Sequence, residues 1–229
     1  MMRKIIGKIL DTVLPPVKKE AATKEAASTD GSEPEVKTIS LEQLLGGDMA
    51  KEPELRVIGL YSSVEDEKIA ELTQALLYLN EMNRIAPEGK EKKPVEFYIN
   101  TYGGSADDMF ALYDVMQVVM EETEIHTIGV GKVMSAGTLL LAAGTKGKRK
   151  IGKNCRVMIH NVAAGNFGTL PNLTNELEAI QTLQEDYITA MVENTKFTRK
   201  KLEKLLNEKV NIYLSAEEAV KYGLADEIM

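Results

Sequence analysis

The chain contains two histidines, His126 and His160, so any reaction that uses an imidazole as a base near neutral pH must use one of them. His126 lies near the start of an apolar run, where we expect a buried, structural histidine. His160 ends the apolar run RVMIH, just before a polar segment that contains glycine. Because α/β proteins place their sites where strands end at a crevice, His160 is the candidate general base. On position alone, a structural role for His160 is the alternative.

The segment GVGKVMSAGTLLLAAG places Ser135 between a predicted strand and a predicted helix of small residues. The N–H of Ala136, at the start of that helix, has no partner within the helix. It is placed to donate to the negatively charged oxygen that forms when a serine attacks a carbonyl carbon. The sequence therefore suggests Ser135 as a nucleophile, and a simple helix N-cap is the alternative.

Two adjacent glycines, Gly103 and Gly104, follow the predicted strand VEFYIN. Glycine allows the backbone to approach a ligand closely, and the N–H of Gly104 is the expected second donor to the oxyanion. Taken alone, the two glycines fit equally well a tight connection to a helix capped by Ser105.

The elements that must position these residues alternate between strand and helix. Apolar runs predict strands at 56–61, 95–100, 124–130 and 156–160, and helical spacing predicts helices at 65–82, 106–120, 136–143, 173–194, 198–206 and 215–222. Ser215 and Glu218 form a predicted capping box at the start of the last helix. The alternation predicts an α/β domain with a largely parallel sheet.

The N-terminal part differs in composition from this domain. Residues 1–14 place apolar side chains on one helical face opposite charged ones, which predicts an amphipathic helix. We favour protein docking over membrane contact for it, and a frayed terminus without a function is the other alternative. Residues 15–52 are rich in Pro, Ala, Ser, Thr and charged residues, so we expect a flexible linker with one short helix at 40–45. The predicted folded domain spans 53–229.

Composition excludes several classes of function. A formal net charge of −7, without a local basic patch, argues against a nucleic-acid partner. Cys155 is the single cysteine, so we expect neither an internal disulfide nor a cysteine-based metal site, which fits a reducing compartment. No stretch approaches the length of about 20 apolar residues that crosses a bilayer. We therefore expect a cytoplasmic protein without a membrane span.

The ordered motifs YIN..GGS, GVGKVMSAG, KGKR, RVMIH and YLSAEEAVKYGLADEI, over residues 56–229, resemble the Clp protease proteolytic subunit family. The resemblance implies Ser135 as nucleophile, His160 as base, and the N–H groups of Gly104 and Ala136 as oxyanion hole. It also implies a ClpP/crotonase-like α/β fold of stacked β-α-β units, with the helix at 173–194 as a protruding handle. The implied activity is serine-type endopeptidase cleavage of unfolded polypeptides or peptides through an acyl-enzyme, without metal or cofactor.

The resemblance also implies an assembly and a mode of substrate binding. It implies a homo-oligomer of heptameric rings stacked as a tetradecamer, with an AAA+ unfoldase ATPase as partner. Substrate would bind as an added strand beside a strand at 162–169, because backbone pairing gives affinity with little dependence on side chains. The implied substrate-binding residues are Gly103, Gly165, Phe167 and Gly168.

The sequence departs from the family pattern at the third catalytic position, where Asn211 precedes IYLSA in place of the expected aspartate. That aspartate accepts the imidazole N–H, fixes the tautomer and stabilises the imidazolium, and asparagine brings no charge to this task. We therefore expect reduced activity unless another acid substitutes, and Asp226 and Glu208 are the acids near it in sequence.

A second departure concerns the surface expected to dock an unfoldase. Tyr98 retains an aromatic side chain there, whereas Glu96 and Val118 stand where aromatic residues are expected. Tyr102 also replaces the proline usual before the two glycines. These substitutions predict altered or absent coupling to an unfoldase.

Three other functions are consistent with parts of the sequence. Asn211 also fits a catalytically weak or silent ring subunit that assembles with an active relative. The N-terminal helix and linker also fit a Clp-related prohead maturation protease. An acyl-CoA hydratase would share the fold and the oxyanion donors, but it would not need Ser135 paired with His160.

Overall fold

The computed structural model describes residues 55–208 and 210–229. The predicted N-terminal helix at 1–14, linker at 15–52 and short helix at 40–45 lie outside the described residues, and the domain boundary near residue 53 stays a prediction. Within these two ranges no helix is long and apolar enough to cross a bilayer.

The described chain alternates strands and helices as the sequence predicted. In chain order the elements are β1 (Val57–Leu60), α1 (Asp66–Arg84), β2 (Val95–Thr101), α2 (Ala106–Val119), β3 (Ile125–Met134), α3 (Ala136–Ala142), β4 (Lys150–Ile151), β5 (Arg156–Ile159), α4 (Leu170–Asn194), α5 (Arg199–Glu208), β6 (Ile212–Leu214), α6 (Ala216–Tyr222) and β7 (Glu227–Ile228). Predicted bounds of the elements that were predicted coincide with these or differ from them by at most four residues. The capping box of Ser215 and Glu218 is confirmed.

The strands form one seven-stranded sheet in which neighbours run in the order β1, β2, β3, β4, β7. These four pairings are parallel, as is the pairing of β3 with β5. Within the described part of the chain, only β5 and β6 pair antiparallel. The predicted α/β class with a largely parallel sheet is therefore confirmed.

Strand β3 pairs with β2 along one edge and with two strands, β4 and β5, along its other edge. Its first half pairs with β4 through Gly129 and Ile151, and its last residues pair with β5, where Met134 lies opposite Met158. Between the two halves the pairing with β2 changes register, and Gly131 adopts a positive φ of 64°. Such a bulge bends a strand and re-aims its end, which here leads directly into Ser135.

The core lies between the sheet and the helices. Alternate residues of β2 are buried, including Phe97 and Ile99, as expected for a strand with one face on the core. Every residue of α3 is buried, since its sequence AGTLLLA has no charged side chain to solvate. The helix that follows Ser135 is therefore held on all sides by the core.

Two parts of the fold differ from the sequence-based expectation. Residues 161–169 form no strand, so the predicted strand at 162–169 is wrong for the chain alone. Strand β5, which precedes it, already pairs with β3 and β6, and no strand of the described chain pairs with residues 161–169. The short strands β4, β6 and β7 were not predicted, because two or three residues show no periodicity.

Candidate active site

Ser135 lies in a sharp turn between β3 and α3. Its φ of 53° and ψ of −125° make it the only non-glycine residue with positive φ in the described ranges. Its N–H donates to the carbonyl of Met158 at 2.8 Å, but its hydroxyl makes no capping hydrogen bond to α3. The simple N-cap interpretation is therefore wrong. A strained turn that exposes a serine hydroxyl between a strand and a helix is a known way to present a nucleophile.

The hydroxyl of Ser135 contacts His160, with 2.7 Å between Oγ and Nε2. This contact follows from the sheet, because β3 and β5 run parallel and their carboxyl ends meet at one edge. His160 is the first residue after β5, and its side chain is partly buried. A neutral imidazole at this distance is placed to take the hydroxyl proton.

Gly104 and Ala136, whose N–H groups are the expected oxyanion donors, line the same cavity as Ser135. The N–H of Ala136 is at the first position of α3 and has no partner within the helix. Val64 bonds to the backbone on both sides of Gly104, through the carbonyl of Gly103 at 2.9 Å and the N–H of Ser105 at 2.8 Å. In such a parallel bridge the N–H of Gly104 points away from Val64. Gly104 and Ala136 line the cavity with Ser135 and are therefore suited to hold an oxyanion.

The two glycines are required by the protein's own packing. A Cβ on Gly103 would lie 2.5 Å from the Cβ of Ser135, and Gly103 has a φ of 98°. A Cβ on Gly104 would lie 2.1 Å from the carbonyl oxygen of Val64. The sequence predicted close approach to a ligand, but the structure shows close approach to the serine turn and to Val64.

Asn211, the predicted third catalytic residue, precedes β6 beside His160. Strand β6 pairs antiparallel with β5 so that Ile212 lies opposite Ile159, and the same register, extended by one residue, sets Asn211 opposite His160. Asn211 is exposed, and no hydrogen bond joins these two side chains. The pairing of strands thus brings Asn211 to the histidine without an observed contact.

Neither acid named as a substitute contacts His160. Asp226 accepts hydrogen bonds from the Arg149 guanidinium at 2.6 and 2.9 Å and from the N–H groups of Gly147 and Arg149. These bonds hold its pKa at about 2, below the ordinary value. Glu208 is exposed and lies 3.7 Å from Lys204. Substitution by Asp226 is therefore excluded by its structural pairing, and Glu208 has no observed link to the site.

His126 lies at the opposite end of β3 from Ser135. Its Nε2 is 2.8 Å from a carboxylate oxygen of Glu124, and this hydrogen bond lowers the pKa of Glu124. The side chain of His126 is 20% exposed, so it is satisfied as predicted but less buried than predicted.

A cavity of about 650 Å³ opens beside Ser135 and His160. Its walls come from the start of α2, the start of α3, residues 160–164 and one face of α4. Gly103, Gly165, Phe167 and Gly168 do not line it, and Phe167 is 99% exposed. Their predicted role in substrate binding stays a prediction.

One buried contact at the site was missed from the sequence. Thr138 Oγ1 is 2.6 Å from the carbonyl oxygen of Ser135 and 2.9 Å from the hydroxyl of Tyr187. Because threonine has one proton and gives it to the Ser135 carbonyl, Tyr187 is the donor to Thr138. Burial raises the pKa of Tyr187 to about 12, which keeps that proton in place. Helix α4 is thereby joined to the serine turn.

The described residues contain no group of three or more His, Cys, Asp or Glu side chains placed to hold a metal ion. The expected independence from metals and cofactors stays a prediction.

Comparison with known proteins identifies the family of this chain. A family model described as Clp protease matches residues 48–229. The chain is 33% identical over 174 residues to an ATP-dependent Clp protease proteolytic subunit of Deinococcus radiodurans, covering 76% of this chain and 80% of that protein. It is 35% identical over 175 residues to ATP-dependent Clp protease proteolytic subunit 1 of Prochlorococcus marinus subsp. pastoris, covering 76% of this chain and 83% of that protein. These matches, over most of the chain and around a paired serine and histidine, show that the chain belongs to the Clp protease family of serine-type peptidases.

Proposed function

We propose that this chain cleaves peptide bonds of unfolded polypeptides or peptides with Ser135 as nucleophile and His160 as general base. Oγ of Ser135 bonds to the carbonyl carbon while Nε2 of His160 takes its proton, and His160 then gives that proton to the leaving amine as the peptide bond breaks. A water that loses its proton to His160 hydrolyses the acyl-enzyme. The observation that carries the proposal is the 2.7 Å contact between these atoms in a strained turn.

The N–H groups of Gly104 and Ala136 are the proposed oxyanion hole. Both line the cavity that Ser135 faces, and neither has a partner in the described hydrogen-bond network. Two donors held by backbone structure need no reorganisation when the negative charge forms, and loss of one such donor costs about 10²- to 10³-fold in turnover in serine peptidases.

Asn211 is the proposed third member, accepting the Nδ1–H of His160 through its amide oxygen. Register supports this placement, but a neutral amide stabilises the imidazolium less than a carboxylate does. In peptidases with a Ser-His-Asp triad, changing the aspartate to asparagine lowers turnover about 10⁴-fold. The same observation favours a second candidate function, a weak or silent ring subunit that assembles with an active relative.

Substrate binding and assembly complete the proposal. Residues 161–169 have no strand partner in the described chain. The N–H groups of Val162 and Phe167 donate to Gln184 and Asn166, and most of the other backbone groups of this segment are available to pair with an extended polypeptide. Leu170, Leu173 and Leu177 on α4 are exposed, which supports burial of this helix against other subunits of stacked heptameric rings.

The relatives are named as ATP-dependent, so an unfoldase ATPase is the proposed partner. A cytoplasmic location also stays a prediction.

The decisive experiment is labelling with a fluorophosphonate, in which Oγ of the serine bonds to phosphorus and fluoride leaves. We expect wild-type protein to label at Ser135 slowly, Ser135→Ala not to label, and Asn211→Asp to label on the order of 10-fold faster or more. Native mass spectrometry of the same samples gives the number of labels and the number of subunits.

His126 supplies the matched control, since it is the second histidine and lies at the far end of β3. His160→Gln should abolish labelling, whereas His126→Gln should leave its rate unchanged. If wild-type protein labels and Asn211→Asp labels faster, the triad is functional and its activity is reduced by Asn211. Intact rings that never label, even as Asn211→Asp, overturn the peptidase proposal in favour of the silent subunit.

A further inference from the structure

The charge of the cavity beside Ser135 is unusual for a site that is mostly lined by small and apolar side chains. Three carboxylates line it, those of Asp107, Glu176 and Asp186, and the lining includes no lysine or arginine. None of the three carboxylates has an ion-pair partner in the described ranges, whereas Glu185 on α4 and Glu203 and Glu208 on α5 do have one. The cavity beside the nucleophile therefore carries acidic side chains that no basic side chain in its lining neutralises.

Two of these carboxylates lie close in the chain to the groups that perform the chemistry. Asp107 is three residues after Gly104, in the first turn of α2. Asp186 is adjacent to Tyr187, which is joined through Thr138 to the carbonyl of Ser135. Glu176 is ten residues before Asp186 on α4, about 15 Å along the helix axis. Asp107 and Asp186 are thus the lining carboxylates nearest in the chain to the oxyanion donor Gly104 and to the residue joined to the serine turn.

The remaining wall suits the aliphatic part of a long side chain. Met109, Ile180, Leu183 and Tyr187 line it with several alanines, and its volume of about 650 Å³ exceeds what any single side chain fills. Lysine and arginine combine an apolar stem with a charged end, so they match a cavity with apolar walls and carboxylates at the rim.

We propose that this cavity receives the side chain of the residue whose carbonyl Ser135 attacks, and that Asp107 and Asp186 make it select lysine or arginine there. This inference rests on the proposed function. Both carboxylates are exposed to solvent, so their attraction for a cation is screened by water and salt. Each contributes about 2- to 5-fold to the preference, as exposed ion pairs do. The selection is therefore graded, and it weakens as ionic strength rises.

The test compares two peptidyl diphenyl phosphonates that differ only at the residue next to phosphorus, one with a lysine-like aminoalkyl side chain and one with norleucine. Each reacts by forming a bond from Oγ of Ser135 to phosphorus while phenoxide leaves and takes up the serine proton through His160. The measured quantity is the ratio of the two labelling rates. We expect the cationic probe to react about 4- to 25-fold faster with wild type at low salt, and this ratio to fall at high salt.

Single substitutions assign the preference to residues. Asp107→Asn and Asp186→Asn should each reduce the ratio about 2- to 5-fold, and Glu176→Gln should reduce it less. Asp108→Asn and Glu178→Gln are matched controls, since each removes a carboxylate without an ion-pair partner in the described ranges from the same helix as Asp107 or Asp186, without touching the cavity lining. They should leave the ratio unchanged.

The outcomes separate this inference from the proposed function. Labelling of Ser135 by a fluorophosphonate together with equal rates for the two phosphonates overturns the cationic preference and leaves the peptidase intact. A preference that the control substitutions reduce as much as Asp107→Asn and Asp186→Asn overturns the assignment to these two residues. Failure of every probe to label Ser135 overturns the proposed function, and this inference with it.

Discussion

Ser135 combines a backbone conformation that costs free energy with a side chain that gives up the usual capping bond. The capping interpretation required the hydroxyl to bond to α3. The positive φ instead directs the hydroxyl away from the helix and towards His160. The turn is held by bonds that do not involve the hydroxyl, from its N–H to Met158 and to its carbonyl from Thr138. Strain of about 1–3 kcal/mol at one residue persists only where its surroundings hold it, and this is common at active sites.

Gly103 gives the sharpest prediction at this scale. Gly103→Ala should lower the rate of Ser135 labelling about 100-fold or more, because the new Cβ displaces the serine turn and the oxyanion donors beside it. The measurement is the labelling rate with a fluorophosphonate, with circular dichroism as a check that the variant is folded.

Gly89→Ala is the control for backbone strain. Gly89 has a φ of 83°, and a Cβ there would meet nothing within 4 Å. This variant should lose about 1 kcal/mol of stability and keep its labelling rate. Equal labelling rates in the two variants would show that close approach of Gly103 to Ser135 does not matter.

At the scale of elements, the site depends on strands that pair far apart in the chain. Strand β5 lies between β3 and β6, so the end of β5 delivers His160 to Ser135 on one side and to the neighbourhood of Asn211 on the other. Strands β4 and β7 also pair, and the residues just before them, Arg149 and Asp226, are joined by hydrogen bonds. Arg149 also donates to the carbonyl groups of Ala142 and Asn194, and so holds the ends of α3 and α4.

The hydrogen-bonded ion pair of Arg149 and Asp226 predicts a pH-dependent stability. Because hydrogen bonds lower the folded-state pKa of Asp226 to about 2, below its unfolded value, its contribution is present above the unfolded pKa and is lost as pH falls through the folded pKa. Asp226→Asn should reduce the free energy of unfolding by about 1–2 kcal/mol at pH 7. That difference should shrink between about pH 4 and pH 2. Urea unfolding across this range measures it.

Glu227 provides the comparison, because its carboxylate pairs with Lys150 at the surface, where both side chains are largely exposed. Glu227→Gln should change stability by less than about 1 kcal/mol. A deficit in Asp226→Asn that stays constant from pH 7 to pH 2.5 would contradict the assignment to its ionised carboxylate.

At the scale of the whole described domain, one hydrophobic cluster includes buried residues from Leu60 to Ala225. Cys155, just before β5, belongs to this cluster and is 2% exposed. Residues in a common core become exposed together, when the structure opens as a unit. The single cysteine of the chain is thus a natural reporter of that opening.

Alkylation of Cys155 should therefore follow global unfolding. Burial raises the pKa of its thiol to about 11, and only the thiolate reacts with iodoacetamide. We expect the native protein at pH 8 to react about 100-fold or more slowly than the urea-unfolded protein. The rate should rise with urea along the same curve as the far-ultraviolet circular dichroism. Fast alkylation well below the unfolding transition would instead indicate local opening around β5.

Most of the secondary structure was predictable because it is a local property. Buried positions in α1 recur at helical spacing and those in β2 alternate, so residues near in sequence decide these elements. The strands β4, β6 and β7 were missed because each exists only by pairing with a distant partner. The strand predicted at 162–169 failed for the same reason, since a strand needs a neighbour that this chain alone does not supply.

The sequence by itself determined which residue types stand at the ends of which elements, and so identified Ser135, His160, Gly104 and Ala136 as candidates. Only the tertiary structure decided that Ser135 and His160 meet at 2.7 Å, that Gly103 lies against the serine turn, and that Tyr187 reaches Thr138 from 49 residues away. It also decided that Asp226 is bound to Arg149, away from His160. The physical reason is that composition and spacing act along the chain, whereas these contacts depend on which distant strands and helices lie side by side.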